Sequence, residues 1–306
     1  MVDIVIVNWN SGQYLNDCIN AVLQSDFKDY HIHIVDNGST DNSTLPFQGL
    51  NNISIHYQNK NIGFGKACNK VLPEIKGEYI LLLNPDTKIK HGTLSMAVSF
   101  MKINARYIVY GCAQMGDDGK IMRTCGRFPT LSTFCFDVLG LSNLFPNRFK
   151  NSFIRTDWDH LNSTDVDHVM GSFYLIRRKW VDKHGFMDDR YFVYLEDLDV
   201  SKRVIDTGGK IYYDHTNLIY HKGGGVSAQV KSKRLFYSLH AKHEYIKKYF
   251  SPVSFLIADF LMLFPGYLIR IIAALFIKGN FIEAKEITQA YGMLYKHLFF
   301  KSQFSD

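Results

Sequence analysis

The first hundred residues alternate between short apolar runs and helix-like segments, and this alternation limits the folds open to the chain. The runs typical of buried strands are Ile4–Val7, His31–Val35, Ile53–Tyr57 and Tyr79–Leu83. Apolar residues recur at helical spacing in Tyr14–Leu23, and Gly65–Val71 is expected to open another helix. Strand–helix alternation with short connections predicts an α/β fold, with a mostly parallel central sheet flanked by helices.

Polar residues follow each of the four predicted strands. The four groups are Asn8-Trp9-Asn10, Asp36-Asn37-Gly38, Asn59–Gly65 and Asn84-Pro85-Asp86. Each group alone fits an ordinary turn, because turns favour Asn, Asp and Gly. The carboxyl ends of parallel strands meet at one edge of a sheet, where open α/β sheets bind their ligands. Together the four groups therefore predict a binding site at that edge.

Carboxylates occur in two clusters that are far apart in the chain. Asp86 stands alone just after a strand, whereas Glu196, Asp197 and Asp199 fall within four residues. A carboxylate at a strand end can hold a divalent metal, and a second one can accept a proton from a substrate. The later cluster also fits a solvated, acid-rich helix start, which the helix dipole favours. Asp199 and Arg203 are spaced as an i, i+4 ion pair on that helix.

The middle of the chain has a less regular pattern. Asp117–Lys120 predicts a hairpin turn, and Val169–Arg177 predicts a strand in which Gly171 and Ser172 allow close backbone approach. Lys179–His184 is expected to form a short helix that ends at Gly185.

The segment Val253–Ile277 is 25 residues long and mostly apolar. A membrane-spanning helix needs about 20 consecutive apolar residues, but Asp259, Pro265 and Arg270 interrupt this run. We therefore expect two short helices, broken at Pro265, that lie in a membrane interface. A helical hairpin that packs on the rest of the chain, or that forms a dimer contact, is the alternative.

Charge is unevenly distributed. The chain has a formal net charge of +6, and residues 222–306 carry 12 Lys or Arg against 5 Asp or Glu. Such a basic tail indicates an anionic partner, either a membrane surface or nucleic acid. The adjoining apolar run favours lipid, so we expect no nucleic-acid partner.

The cysteines and the N-terminus both favour a reducing compartment. The five cysteines are scattered without a C-x-x-C pair, which fits a reducing compartment and argues against a zinc site. The chain begins directly with the strand-like run Asp3–Asn8 and shows no signal-peptide pattern. We therefore expect a cytoplasmic body.

The ordered set of motifs resembles a family 2 glycosyltransferase with the GT-A fold. The motifs are Val35–Asp41, Asn59–Asn69, Leu83–Thr87, Gly171-Ser172-Phe173, Glu196–Asp199 with Arg203, and His221–Gly225. Together with Gly126–Pro129, they are more narrowly similar to bacterial rhamnosyltransferases of cell-surface polysaccharide assembly. The resemblance covers roughly residues 2–245. It implies a catalytic domain at 1–245, with a nucleotide-binding half at 1–105 and an acceptor half at 106–245. Residues 246–306 would then form a helical, membrane-associating region.

The resemblance also implies a role for each motif residue. Asp197 would be the general base of an inverting transfer, and Glu196 would bind the acceptor or orient the loop. Asp86 would bind Mg²⁺ or Mn²⁺ with His221 as a further ligand, although a structural role for His221 remains open. Asn84 stands where the family's D-x-D motif has its first aspartate, which leaves one anionic ligand. The nucleotide-sugar site would comprise Val7, Asn8, Asp36, Asn61, Gly63, Asn69, Asn84 and Asp86, and the acceptor side would comprise Arg127, Gly171 and Ser172.

The expected function is therefore transfer of a sugar to a polyprenyl-diphosphate-linked saccharide at the cytoplasmic face of the plasma membrane. The resemblance favours dTDP-L-rhamnose as donor. A UDP-hexose or UDP-galactofuranose donor is the alternative within the class. A non-catalytic nucleotide-binding scaffold is the alternative outside it, although a scaffold has no need of both carboxylate clusters.

Overall fold

The computed structural model describes residues 1–145, 153–223 and 231–300. The chain divides into two compact units. The first comprises Met1–Arg127, Trp158–Asp189 and Glu196–Val226, and the second comprises Phe128–Asp157, Arg190–Leu195 and Ser227–Asp306. The predicted division at residues 245 and 246 stays a prediction.

The first unit is built on a mixed sheet. The strands of the described residues are β1 Val2–Asn8, β2 Tyr30–Asp36, β3 Ile53–Tyr57, β4 Tyr79–Leu83, β5 Thr87–Lys88, β6 Tyr107–Met115, β7 Cys125–Gly126, β8 Thr164–Val166, β9 His168–Val169, β10 Phe173–Arg177 and β11 Lys210–His221. Nine of them form one sheet in the order β3-β2-β1-β4-β10-β6-β11-β5, with β8 paired to β11. Strands β7 and β9 form a separate pair.

The parallel pairing expected from the sequence is present in the first half of the sheet. Strands β3, β2, β1 and β4 run parallel, while β10 lies antiparallel between β4 and β6. The predicted α/β arrangement of a central sheet flanked by helices is confirmed, and the sheet as a whole is mixed. The predicted strand Val169–Arg177 is divided, because residues 171 and 172 form a turn between β9 and β10.

Helices cover both faces of this sheet. They are α1 Gln13–Leu23, α2 Phe64–Lys70, α3 Thr93–Ile103, α6 Arg178–His184 and α7 Glu196–Asp206. Helix α1 buries Leu15, Cys18, Ile19 and Val22, which recur at helical spacing, against the strand residues Ile4, Ile6 and Ile32. Burial of this apolar stripe is what fixes α1 on the sheet.

The strand order creates a crevice at the carboxyl end of β1. The chain moves outward from β1 through β2 to β3, and then returns to the other side of β1 as β4. Pairing of β1 with β2 continues to Asn8 and Asp36, whereas its ladder with β4 ends at Val5 and Leu82. Such a switch point is where open α/β sheets bind ligands.

The second unit is helical. Its helices are α4 Leu131–Val138, α5 Leu141–Leu144, α8 Lys231–Tyr249, α9 Pro252–Leu263, α10 Pro265–Ile272 and α11 Phe281–Phe300, with a wider π-type turn at Ala273–Ile277. Phe134, Leu239, Met262, Tyr291 and Leu294 are among its buried core residues. The predicted break at Pro265 is confirmed, because α9 ends at Leu263 and α10 begins at Pro265. By length and composition alone, Pro252–Ile277 is apolar enough to cross a membrane.

Candidate active site

Asn8 and Asp36 meet at the ends of β1 and β2. The amide of Asn8 donates to Asp36 Oδ2 over 3.0 Å, and the backbone N–H of Ser39 donates to Asp36 Oδ1 over 2.8 Å. Both side chains are buried. These contacts hold the Asp36 carboxylate in a single orientation beside the crevice at the end of β1.

The loop that contains Asn61 and Gly63 is held against the same strand ends by Asn37. Asn37 accepts a hydrogen bond from the N–H of Ile62 over 2.9 Å and donates to Asn61 Oδ1 over 2.9 Å. Gly38 has a φ of +78°, and a Cβ there would lie 2.9 Å from the Lys60 backbone. Only glycine combines this left-handed conformation with so close an approach. The structure thus gathers Val7, Asn8, Asp36, Asn61 and Gly63 at one edge.

Asn69 has other partners. Its amide donates to the carbonyl of Met187 over 2.9 Å and to Asp189 Oδ1 over 3.0 Å, and its Oδ1 accepts from the N–H of Met187 over 3.1 Å. In this structure Asn69 therefore fastens α2 to the 187–189 loop, and its role in nucleotide binding stays a prediction.

Asp86 and His221 form a buried pair. His221 lies opposite Thr87 in the β5–β11 ladder, which brings its Nε2 within 3.2 Å of Asp86 Oδ1. The ring's other nitrogen, Nδ1, lies 2.8 Å from Gln114 Oε1. Gly224 and Gly225, which complete this motif, lie outside the described residues.

Gln114 extends this pair into a chain of buried polar contacts. Its Oε1 also accepts a hydrogen bond from Ser172 Oγ over 2.8 Å, and its side chain is buried on β6. The carbonyl of Ser172 in turn accepts the N–H of Asn84 over 3.1 Å. Asp86, Asn84 and His221 are thereby linked to the turn at residues 171 and 172.

The same turn holds Asp197. The N–H of Gly171 donates to Asp197 Oδ2 over 2.7 Å, and the N–H of Leu198 donates to Oδ1 over 2.8 Å. A Cβ at residue 171 would lie 3.0 Å from Asp197 Oδ2, so glycine is what permits this approach. The structure therefore joins the two carboxylate clusters through Gly171 and Ser172.

Arg127 is placed near this turn by strand register. It follows Gly126, which pairs with His168 in the β7–β9 ladder, and the N–H of Met170 donates to the carbonyl of Thr124 over 3.1 Å. The short β7–β9 pair thus carries Arg127 alongside the segment that leads into Gly171.

Glu196 is a buried carboxyl group. Its Oε2 has no hydrogen-bond partner, and burial followed by the nearby charge of Asp197 raises the pKa of Glu196 to about 8. At neutral pH it is therefore predominantly protonated and can act as a hydrogen-bond donor. The two preceding residues, Tyr194 and Leu195, have φ values of 73° and 66°, a strained conformation for side-chain-bearing residues. Strain of this kind clusters at functional sites.

Contacts of Asp199 and Arg203, within α7, hold this helix in place. Arg203 Nε donates to Asp199 Oδ2 over 3.0 Å, which confirms the ion pair expected from their spacing. Arg203 Nη1 also donates to the carbonyls of His184 and Gly185 over 3.1 Å each. His168 also contacts α7, because its Nδ1 lies 2.9 Å from Ser201 Oγ.

The donor atoms around Asp86 fit a divalent cation. A neutral imidazole carries one proton, so His221 can donate to Gln114 Oε1 or to Asp86 Oδ1 but not to both. A cation at Nε2 would satisfy the remaining lone pair and the Asp86 charge. Adjacent ligands of an octahedral ion bound at 2.0–2.1 Å lie about 3 Å apart, close to the 3.2 Å observed.

Gln114 and His168 were not identified from the sequence, and Asn37 was named there only as a member of the Asp36-Asn37-Gly38 group. Gln114 is a polar residue inside the otherwise apolar β6, Tyr107–Met115, and a buried amide in such a strand needs a hydrogen-bond partner. That signal is available from the sequence, but its partners, Ser172 and His221, are defined only by the fold.

The sequence also matches a known protein family. A family profile described as Glycosyl transferase family 2 matches residues 3–185. The chain belongs to glycosyl transferase family 2. The family match and the glycosyltransferase relatives show that the protein is a glycosyltransferase.

Two curated relatives extend the likeness beyond the profile. Rhamnosyltransferase WbbL of Escherichia coli (strain K12) is 29% identical over 230 residues, covering 70% of this chain and 80% of the relative. The N-acetylglucosaminyl-diphospho-decaprenol L-rhamnosyltransferase of Mycobacterium tuberculosis is 22% identical over 235 residues, covering 72% and 76%. The resemblance to rhamnosyltransferases predicted from the motifs is thus confirmed.

Solved structures confirm the fold. The mannosyltransferase PcManGT from Pyrobaculum calidifontis, in complex with GDP-Man and Mn²⁺, has a TM-score of 0.58 at 13% identity, covering 98% of this chain and 88% of that one. At this identity the likeness concerns the fold alone. The chain has the predicted GT-A fold.

The raised pKa of Glu196 predicts a pH-dependent effect of Glu196→Gln on stability. Between about pH 4.5 and pH 8 the folded state keeps a proton that the unfolded state releases, so stability falls as pH rises. Glutamine cannot ionise, so the variant lacks this contribution to the pH dependence of stability. We expect the variant to gain stability relative to wild type between pH 5 and pH 8, measured by urea unfolding.

Glu78→Gln is the matched control, because the Glu78 side chain is 61% exposed. Its effect should differ little between the two pH values. An effect of Glu196→Gln that is the same at pH 5 and pH 8 would contradict the assignment of a protonated, buried carboxyl group.

Proposed function

We propose that this glycosyltransferase moves L-rhamnose from dTDP-L-rhamnose to a polyprenyl-diphosphate-linked saccharide, with inversion at the anomeric carbon. The observation that carries the proposal is the buried polar chain from Asp86 through His221, Gln114 and Ser172 to the turn that holds Asp197. It brings a cation-binding pair and a proton acceptor into one site. The names of the two rhamnosyltransferase relatives support the sugar and the lipid-linked acceptor.

The donor occupies the crevice at the end of β1. Asp36, held by Asn8 and Ser39, accepts hydrogen bonds from the base or ribose, and the backbone around Val7 frames the base. Asn61 and Gly63 line the adjoining loop, which Asn37 holds in place. Asn84 and Asp86 then lie on the diphosphate side of the donor.

Asp86 and His221 would hold Mg²⁺ or Mn²⁺ on the diphosphate side of the donor. A bound divalent ion stabilises the negative charge that develops on the leaving oxygen. Gln114 fixes the His221 ring through Nδ1, and such a partner keeps the imidazole correctly oriented as a ligand. Because Asn84 replaces an aspartate, Asp86 is the anionic protein ligand of this pair. Lys222 adds an exposed positive charge next in sequence to His221.

Asp197 takes the proton from the acceptor hydroxyl. The amides of Gly171 and Leu198 orient its two oxygens, so the carboxylate is positioned before the acceptor arrives. Glu196, protonated at neutral pH, donates a hydrogen bond to an acceptor or sugar oxygen. Arg127, Gly171 and Ser172 form the wall next to the transferred sugar and contribute to its selection.

Donor choice and the base are tested together. Wild-type protein should bind and turn over dTDP-L-rhamnose at lower concentrations than UDP-hexoses, UDP-galactofuranose or GDP-mannose, measured by product release with a lipid-linked acceptor. Asp197→Asn should lower kcat by about 10²–10⁴-fold, because a general base is lost, with the donor Kd unchanged.

Asp206→Asn is the matched control on the same helix, where Asp206 forms an exposed ion pair with Lys202. Its kcat should equal that of wild type. Preference for a UDP-sugar would overturn the rhamnose assignment, and retained turnover in Asp197→Asn would remove Asp197 as the base.

A bilayer surface covers the apolar face of the second unit. Large apolar side chains are exposed on α9 and α10 at helical spacing: Val253, Leu256, Ile257, Phe260, Phe264, Leu268 and Ile272. Opposite residues such as Ala258 and Met262 are buried in the core of the unit. Contiguous exposed apolar surface of this extent is uncommon on soluble monomers. The exposed lysines Lys247, Lys278 and Lys285 of the same unit can meet anionic headgroups.

The cytoplasmic face of the plasma membrane suits this arrangement. All five cysteines lie within the described residues and form no disulfide with one another, and four of them are buried, as is usual in a reducing compartment. A polyprenyl-linked acceptor cannot leave the bilayer, so peripheral attachment keeps the enzyme at its substrate.

Paired charge substitutions in the apolar face should release the protein from lipid. We expect Leu256→Glu/Phe260→Glu to lose sedimentation with vesicles of phosphatidylcholine and phosphatidylglycerol, because two charges would enter the interface. Activity on a water-soluble acceptor analogue should be retained.

Ile103→Glu is the control, since Ile103 is 82% exposed on α3 of the first unit. That variant should sediment like wild type. Unchanged sedimentation of the double variant would contradict membrane attachment, as would wild-type dimerisation that buries this face and is lost in the variant.

A further inference from the structure

Three histidines and two carboxylates gather on β1, β2, β3 and the 3₁₀ turn Leu72–Glu74. They are Asp3, His31, His33, His56 and Glu74. His33 Nδ1 lies 3.4 Å from His56 Nε2, and the rings are stacked with an interplanar angle of 26°. None of these residues belongs to the proposed transfer site.

Each of the two facing histidines is paired with a carboxylate through its other nitrogen. His33 Nε2 lies 2.9 Å from Asp3 Oδ1, and His56 Nδ1 lies 3.4 Å from Glu74 Oε1. A carboxylate places the imidazole proton on the nitrogen that faces it. In the neutral rings, the two nitrogens that face each other are then both without a proton.

A cation between the two facing nitrogens would satisfy both lone pairs. Nitrogen ligands of a tetrahedral ion bound at 2.0–2.1 Å lie about 3.3 Å apart, which matches the observed spacing. At 3.4 Å the contact is also longer than the 2.7–3.2 Å usual for an N–H···O hydrogen bond. The distance and the tautomers therefore agree with a metal ion.

Asp3 is anchored as an orienting group. Its Oδ2 accepts the N–H of Lys76 over 3.0 Å and that of Gly77 over 2.5 Å, while Oδ1 faces His33. The carboxylate is buried with 1% of its side chain exposed. Asp3 and Glu74 together also balance the charge of a divalent ion.

The geometry points to a zinc-type metal site whose ligands are His33 and His56, with Glu74 nearby as the carboxylate that orients His56 through Nδ1. One ligand atom from each of these residues lies within 4.8 Å of the other two. Glu74, whose side chain is 55% exposed, leaves an entry path from solvent. Imidazole ligands favour Zn²⁺ over Mg²⁺, so this site and the Asp86 site select different metals.

The ion would link β2 to β3 at one side of the sheet. His33 lies on β2 and His56 on β3, and Asp36, at the donor site, is three residues beyond His33 on the same strand. At 3.3 Å per residue that separation is about 10 Å, so the ion would stabilise the strands without reaching the donor. The sequence predicted no zinc site because its cysteines are scattered, whereas the proposed site would use histidine ligands.

Metal uptake tests the site. The full chain carrying Asp86→Asn, which weakens the transfer-site pair, is dialysed against buffered Zn²⁺ and its zinc content is measured. We expect one equivalent to bind, and the addition of His56→Gln to weaken binding by 100-fold or more. Glu74→Gln should weaken it by about 10–100-fold, as the loss of an orienting carboxylate does.

His91→Gln is the matched control, because His91 is exposed on a different loop. It should leave zinc binding unchanged, and Co²⁺ in place of Zn²⁺ should give a visible absorption that only the His56 and Glu74 variants weaken. No zinc uptake by the parent protein, or equal uptake by His56→Gln, would overturn the site and leave a shared proton between the two rings.

Discussion

The two hydrogen bonds accepted by Gln114 Oε1 are the interaction on which the proposed active site depends. One comes from Ser172 Oγ and the other joins the His221 ring, each over 2.8 Å. Through them, residues from β6, β11 and the turn before β10 share one buried polar atom. If one of these buried partners moved away, the remaining polar groups would be left without a hydrogen bond and without water, which is unfavourable. The three side chains are therefore held rigidly. The proposed metal and acceptor sides are therefore held in a fixed relation.

The first unit contains two histidines, His33 and His221, with a similar arrangement of partners around the ring. At His221 and at His33, one ring nitrogen faces an oxygen that fixes the tautomer or orientation, and the other faces a group that a cation would satisfy. The surroundings differ. Asp86 offers an oxygen beside the donor crevice, which suits Mg²⁺ or Mn²⁺, whereas His56 offers a second nitrogen, which suits a zinc-type ion.

The sequence alone predicts much of this architecture, because strand and helix periodicities in the first hundred residues are strong and polar residues follow each strand. Asp36 and Asp86 could be selected for that reason, whereas Glu196 and Asp197 were selected from their acidic cluster and from the family resemblance. The antiparallel insertion of β10 and the link through Gln114 could not, since both depend on pairings between distant segments. Asn69 was selected from its motif position, but in the structure its side chain is hydrogen-bonded to Met187 of the same chain.

The central claim is that one buried network joins the cation-binding pair to the acceptor turn. It is tested most directly by Gln114→Met, which keeps the side-chain length and removes the acceptor oxygen. The Mn²⁺ concentration that gives half-maximal transfer should rise by about 10–100-fold, since His221 loses its orienting partner. An unchanged Mn²⁺ requirement, with wild-type kcat in a folded variant, would contradict the account.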